Sequence, residues 1–124
     1  LRPAIDLLAS AAGRRVAILG DMFELGDSEE ALHREVGEYA ASGQTDLVIS
    51  IGKLARNIHE GVKSSSRYES GLLQALYYPA LQDFERDAPS VLHLGDSCLV
   101  KASHGMHFEK IVMLINEDKI QCVF

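Results

Sequence analysis

Val16-Ala17-Ile18-Leu19-Gly20 is a run of four apolar residues closed by a glycine, and the stretch that follows, Asp21–Asp27, is polar. A strand with one wet face alternates apolar and polar residues. An unbroken apolar run of this length is what a strand covered on both faces requires. A helical pattern comes next: Leu32, Val36, Tyr39 and Ala40 share one face out to about Ala41, and Gly43 stops it. Asp27 and Glu30 have the spacing of a capping box at its start. The unit then repeats. Leu47-Val48-Ile49-Ser50-Ile51 is a second buried strand closed by Gly52, and Leu54, Ala55, Ile58 and Val62 mark a second amphipathic helix. Strands alternating with helices imply βαβ units, parallel strands and right-handed crossovers.

Working outward, Ala4–Ala12 reads as a helix with Pro3 in its first turn and Gly13 ending it. Lys63–Ser70 is polar and Ser-rich, which predicts a surface loop. Gln74–Tyr78 is a third strand, and Ala80–Asp87 a helix whose pattern Pro89 interrupts. Gly95-Asp96 turns the chain into a strand over Ser97–Ala102. A last helix carries Phe108, Ile111, Val112 and Ile115 on one face, and Ile120–Phe124 reads as either an edge strand or a loose tail. The expected fold is α/β: one domain over residues 1–124, with a mostly parallel sheet between helices in three layers.

Composition bounds what this domain does. The 124 residues are 47% hydrophobic and 24% charged, ordinary values for a globular chain. A net charge of -6 without any Lys/Arg run argues against nucleic-acid partners. No apolar stretch approaches the roughly 18 residues of a membrane span, which predicts no membrane insertion. With no signal-peptide pattern at the start, the expected location is the cytoplasm. Cys98 and Cys122 lack metal-ligand spacing and are expected to be reduced, structural thiols. Leu1-Arg2-Pro3 leads straight into a helical pattern without an initiating Met, so the chain reads as a piece of a longer protein.

In parallel sheets ligands sit beyond the carboxyl ends of the strands. Three loops therefore become candidates: Gly20–Asp27, Gly52-Lys53 and Lys101–Met106. The standard phosphate loop needs Gly, four residues, then Gly-Lys-Ser/Thr. Gly52-Lys53 is the only Gly-Lys pair, with Leu47 where the first Gly should be and Leu54 after the Lys; no G-x-G-x-x-G occurs either. The chain thus has neither standard device for a triphosphate or a dinucleotide. Asp21 and Glu24 are paired carboxylates of the kind that hold a metal or bind an amine. Lys101 offers a point charge for a carboxylate or phosphate, while Ser103, His104 and the N–H groups opening the next helix favour anions. His33, beside an apolar helix face, reads as structural and placed to hydrogen-bond the preceding loop. Tyr77 and Tyr78 read as packing residues. His104 and His107 have no third ligand nearby to make a zinc site. No nucleophile–base pair emerges, so no residue is assigned as catalytic and no metal is expected in this chain.

Four segments, in this order and spacing, carry a family resemblance: Gly20-Asp21-Met22-Phe23-Glu24-Leu25-Gly26, Leu32–Ala40 (LHREVGEYA), Asp46–Ala55 (DLVISIGKLA) and Val100–Glu109 (VKASHGMHFE). Together they resemble the C-terminal domain of the Mur ligases, over roughly residues 1–115, with 116–124 a tail. The first two segments point to the branch that adds D-alanyl-D-alanine to UDP-N-acetylmuramoyl-tripeptide. The resemblance implies a Rossmann-like fold. It implies two partner domains of the same enzyme, an N-terminal one for the UDP-sugar and a central ATP-binding one. ATP and magnesium would serve the full-length enzyme in making an acyl phosphate that the dipeptide amine attacks, with no cofactor held by this domain alone. It implies a role in cytoplasmic peptidoglycan precursor synthesis, and an acceptor-binding surface made of Lys101, Ser103, His104, Asp21 and Glu24. His104 stands where relatives usually carry Arg. Two rivals remain at this stage. A signalling receiver domain would need an Asp at the end of the third strand, where Gln74–Tyr78 is followed by Pro79-Ala80. A non-catalytic ligand-binding or interaction module would need only the fold.

Overall fold

The computed structural model describes residues 1–23, 26–117 and 121–123. Its helices are α1 (Arg2–Leu8), α2 (Glu29–Ser42), α3 (Ala55–Lys63), α4 (Ser66–Glu69), α5 (Leu81–Val91) and α6 (Glu109–Glu117). Its strands are β1 (Arg15–Gly20), β2 (Leu47–Ile51), β3 (Gln74–Tyr78), β4 (Ser97–Lys101) and β5 (Gln121–Val123). The strands form one sheet in the order β3-β2-β1-β4-β5, and every pairing is parallel. Of the expected edge strand or tail over Ile120–Phe124, Gln121–Val123 forms an edge strand, while Ile120 and Phe124 lie outside the described residues.

The unbroken apolar runs are explained by the two cores they serve. Val16 and Ile18 of β1, with Leu47 and Ile49 of β2, face Phe84 and Ala88 of α5 and Ile111 of α6. Their neighbours Ala17, Leu19 and Val48 face the other way, onto Ile5 and Leu8 of α1, Ala40 of α2, and Ile58 and Val62 of α3. Burying a side chain the size of Ile18 or Phe84 stabilises by about 1.5–3 kcal/mol, which polar residues on either face would forfeit.

Several local expectations are corrected. Helix α1 stops at Leu8, short of Gly13: the N–H of Ala11 bonds back only three residues, to Leu8. Gly13 (φ +75) then turns the chain toward β1. The Asp27–Glu30 capping box does not form. Asp27 lies inside a 3₁₀ turn, Gly26–Ser28, that feeds directly into α2, and Ser28 becomes the N-cap without a side-chain bond. The supposed loop Lys63–Ser70 contains α4, capped by Ser65 Oγ, which accepts from the N–H of Tyr68. Arg67 of that turn donates to the carbonyls of Ala41 and Thr45, and so fastens it to the domain. Pro89 does not end α5, which runs on to Val91. It sits in the last turn, where a missing N–H costs a single backbone bond. Phe108, just before α6, and Ile111 within it are buried, as expected of that face, while the Ile115 side chain lies outside the described side chains.

The topology also decides against the receiver reading. Receiver domains have the strand order 2-1-3-4-5, whereas β1 here lies between β2 and β4. No Asp closes β3, which ends at Tyr78.

Candidate functional site

From β1 the chain winds outward through β2 and β3, then returns to the opposite side of β1 as β4. The winding direction therefore reverses between β1 and β4, and such a reversal opens a crevice at the carboxyl ends of the two strands. Two of the three candidate loops meet there. The N–H of Ser103 donates to the Asp21 carbonyl at 3.0 Å, and the N–H of Phe23 donates to Ser103 Oγ at 2.8 Å. The third loop joins through Asp21, whose Oδ1 accepts from the N–H of Ala55 at 2.7 Å. That bond places a carboxylate on the first turn of α3, where the helix dipole favours it.

Two glycines make the approach possible. Gly52 has φ +124, and a Cβ on it would come 2.5 Å from Asp21 Oδ1. A Cβ on Gly20 would collide with the Phe108 ring and come 2.8 Å from the Ala102 Cβ. Phe108 can therefore lie over the end of β1, sealing the core directly beneath the crevice.

The sequence-derived site residues divide into distinct roles. Lys101 is exposed at the end of β4 and has no ion-pair partner among the described residues. Ser103 uses one lone pair for Phe23, and its own proton has no acceptor among the described residues. Both line a hollow of about 320 Å³ with Val100, Phe108, Glu109 and Val112, and a neighbouring one of about 230 Å³ with Leu1 and Met22. Asp21 is 6% exposed and turned inward onto α3, so it shapes the rim. Glu24 lies outside the described residues, and of His104 only the backbone, in a 3₁₀ turn, is described. His107, its counterpart in the metal spacing, lies 3.5 Å from the Glu109 carboxylate. The Glu109 carboxyl is held below its ordinary range, first by its own backbone N–H and then by His107.

Tyr77 and Tyr78 pack as expected: Tyr77 donates to the Gly52 carbonyl at 2.8 Å, and Tyr78 meets Phe84 edge-on. Sequence reasoning did not single out Met22 or Phe108 as parts of the crevice. Phe108 had been placed only on a core face; its proximity to Gly20 has no signal in local pattern. A more apolar hollow of about 260 Å³ lies between α1 and α2, lined by Ile5, Leu32 and Val36, and reaches Met22.

The chain matches the family described as "Mur ligase, glutamate ligase domain" over residues 1–104. It belongs to that family. It is 35% identical over 122 residues to the UDP-N-acetylmuramoyl-tripeptide--D-alanyl-D-alanine ligase of Bacillus subtilis, with 97% of this chain and 26% of the relative covered. The enzyme of the same name from Haemophilus influenzae is 32% identical over 119 residues, covering 96% of this chain and 25% of the relative. This Mur ligase domain thus spans about a quarter of the length of the curated relatives it matches. A crystal structure of MurF from Acinetobacter baumannii superposes with a TM-score of 0.73 at 23% identity, over 94% of this chain and 25% of that one, and so shares the fold. Among the described residues no helix is long and apolar enough to cross a membrane.

Proposed function

We propose that this chain is the acceptor-binding, C-terminal domain of a three-domain ligase. That ligase joins D-alanyl-D-alanine to UDP-N-acetylmuramoyl-tripeptide in the bacterial cytoplasm. The observation that carries the reading is the match to relatives bearing that name along nearly the whole of this chain. The crevice chemistry supports it. The dipeptide is a zwitterion: its carboxylate suits the exposed Lys101 ammonium and the Ser103 hydroxyl, whose proton has no acceptor among the described residues. His104 and Glu24 belong to the same two loops and complete the proposed acceptor surface, with Asp21 holding the rim. Glu109, kept ionised in the same hollow, is placed for an ammonium.

Among the described residues no set of side chains is built for ATP or magnesium. There is no phosphate loop in the sequence, and among the described residues no cluster of three His, Cys, Asp or Glu suits a metal. In this reading the central partner domain holds the nucleotide and metal. What this domain does is orient the dipeptide, so that its amine is presented rather than diffusing. Phosphoryl transfer needs cations positioned around the nucleotide, so the 124 residues alone are expected to hydrolyse no ATP.

The test uses the full-length protein containing this chain, with ATP, the UDP-linked tripeptide and D-alanyl-D-alanine. Losing a charged hydrogen bond costs about 1.5–3 kcal/mol, so Lys101→Ala should raise KM for the dipeptide about 10- to 100-fold and leave KM for ATP nearly unchanged. Unaltered dipeptide kinetics in that variant would remove Lys101 from the site. A wild type that forms no amide would end the ligase reading.

A further inference from the structure

His33 is fully buried in α2, yet both of its ring nitrogens are engaged. Nδ1 lies 2.6 Å from the Glu29 carbonyl, which can only accept, so Nδ1 carries the proton. Nε2 is 3.0 Å from the N–H of Met22, which can only donate, so Nε2 is the acceptor. The two backbone contacts together select one neutral tautomer. Met22 immediately precedes Phe23, whose N–H is given to Ser103 Oγ, and it follows Asp21, whose carbonyl receives the N–H of Ser103. One imidazole thus anchors the middle of a three-residue segment whose two flanking residues both hold Ser103.

We infer that His33 is a positioning residue for the acceptor site: through Met22 it fixes the segment that aims the Ser103 hydroxyl into the crevice beside Lys101. This rests on the acceptor-binding reading above and names a device within it. The chain of bonds is α2 to β1 loop to β4 loop, with a direct contact at each link. With one lone pair held by Phe23, the Ser103 hydroxyl has a proton without an acceptor among the described residues, available to an incoming carboxylate. If the Met22 link is lost, Phe23 N–H drifts, and the hydroxyl is as free to turn back as to point forward.

Two substitutions separate the two ring contacts. Asn places its amide near Nδ1 and keeps a donor to Glu29, but nothing reaches Met22. Gln reaches the Nε2 position and offers an oxygen to Met22. In the full-length protein, His33→Asn should raise KM for D-alanyl-D-alanine about fivefold, the worth of one hydrogen bond of about 1 kcal/mol, with KM for ATP unmoved. His33→Gln should bring dipeptide KM back to within about twofold of wild type. A purely structural histidine predicts instead that both variants lose stability and active fraction together, with dipeptide KM unchanged. A wild type that uses the dipeptide while His33→Asn keeps its KM overturns this inference alone; a wild type that does not use it overturns the functional reading as well. Should His33→Asn fail to fold, ¹⁵N-histidine NMR of the unsubstituted protein decides. A proton on Nδ1, with a coupling across the bond from the Met22 amide to Nε2, supports the assignment, and the opposite tautomer refutes it.

Discussion

The contact between Asp21 and the turn at Gly52 makes a sharp quantitative prediction, because each residue constrains the other. Removing the Asp21 side chain leaves the N–H of Ala55 without its partner at a nearly closed site. The lost bond is to a charged acceptor and costs about 1.5–3 kcal/mol; the lost charge at the start of α3 adds about 0.3–1 kcal/mol. Asp21→Ala should therefore destabilise by about 2–4 kcal/mol. Gly52→Ala meets two penalties. A non-glycine residue at φ +124 costs about 1–3 kcal/mol. Its Cβ would also press on Asp21 Oδ1 from 2.5 Å, forcing the carboxylate off Ala55. The second penalty vanishes once Asp21 is Ala, because the clashing atom is gone and the bond is already lost. The double variant should thus be about 1.5–3 kcal/mol more stable than the sum of the singles predicts, the worth of the bond that both singles lose.

The assay is urea unfolding of the wild type, both single variants and the double. A domain of this size has roughly 5–15 kcal/mol of stability, so a double variant that loses about 3–7 kcal/mol stays folded in water only if the wild type lies above the lower end of that range. With a slope of about 1–3 kcal/mol per molar, a loss of about 3 kcal/mol moves the midpoint by about 1–3 M. Equal slopes across the set are needed before the midpoints are compared. Independent sites add to within about 0.3–0.5 kcal/mol. Additivity of that quality would mean Asp21 and Gly52 do not press on one another, and the account of how the second and third loops lock together would be wrong.

Two further outcomes follow from the opposite end of the sheet and from α3. Arg14 donates to both oxygens of Asp96, at 3.0 and 2.7 Å, and to the Val91 carbonyl; its charged state is favoured first by the bond to Asp96. Asp96 is 2% exposed, so Asp96→Ala strands a cation and the N–H of His93, and should cost about 3–5 kcal/mol by thermal or chemical unfolding. His59 Nδ1 is buried without a partner among the described residues, and the ring's pKa is lowered, first by desolvation and then by Lys63. The unfolded chain therefore takes up the proton first. Stability is whole above about pH 6.5, falls as pH drops through that value, and levels off once the folded form is also protonated. His59→Gln should flatten the drop between pH 7.5 and 5.5, and an identical drop in that variant would acquit His59.

How much of this was legible in the chain is clearest from β1. Four apolar residues in a row required cover on both faces, and both cores are there. The alternation of strands and helices required parallel strands, and parallel strands put Asp21, Gly52 and Ser103 at one rim. Local rules misjudged the ends of elements. The capping box at Asp27 lost to a 3₁₀ turn, and Pro89 was tolerated in a last turn. Neither outcome depends on nearest neighbours in sequence alone.

Apolar periodicity reports which residues are covered, because burial is a property each residue carries wherever its strand is placed. It does not report which strand lies beside which. That β4 returns to the flank of β1, that the Asp21 carboxylate turns inward to Ala55, and that Phe23 and Ser103 bond across 80 positions of sequence were decided only when the chain closed on itself. Hydrogen bonds are directional and act over about 3 Å, so a contact of this kind exists only where the whole fold delivers both partners to the same place.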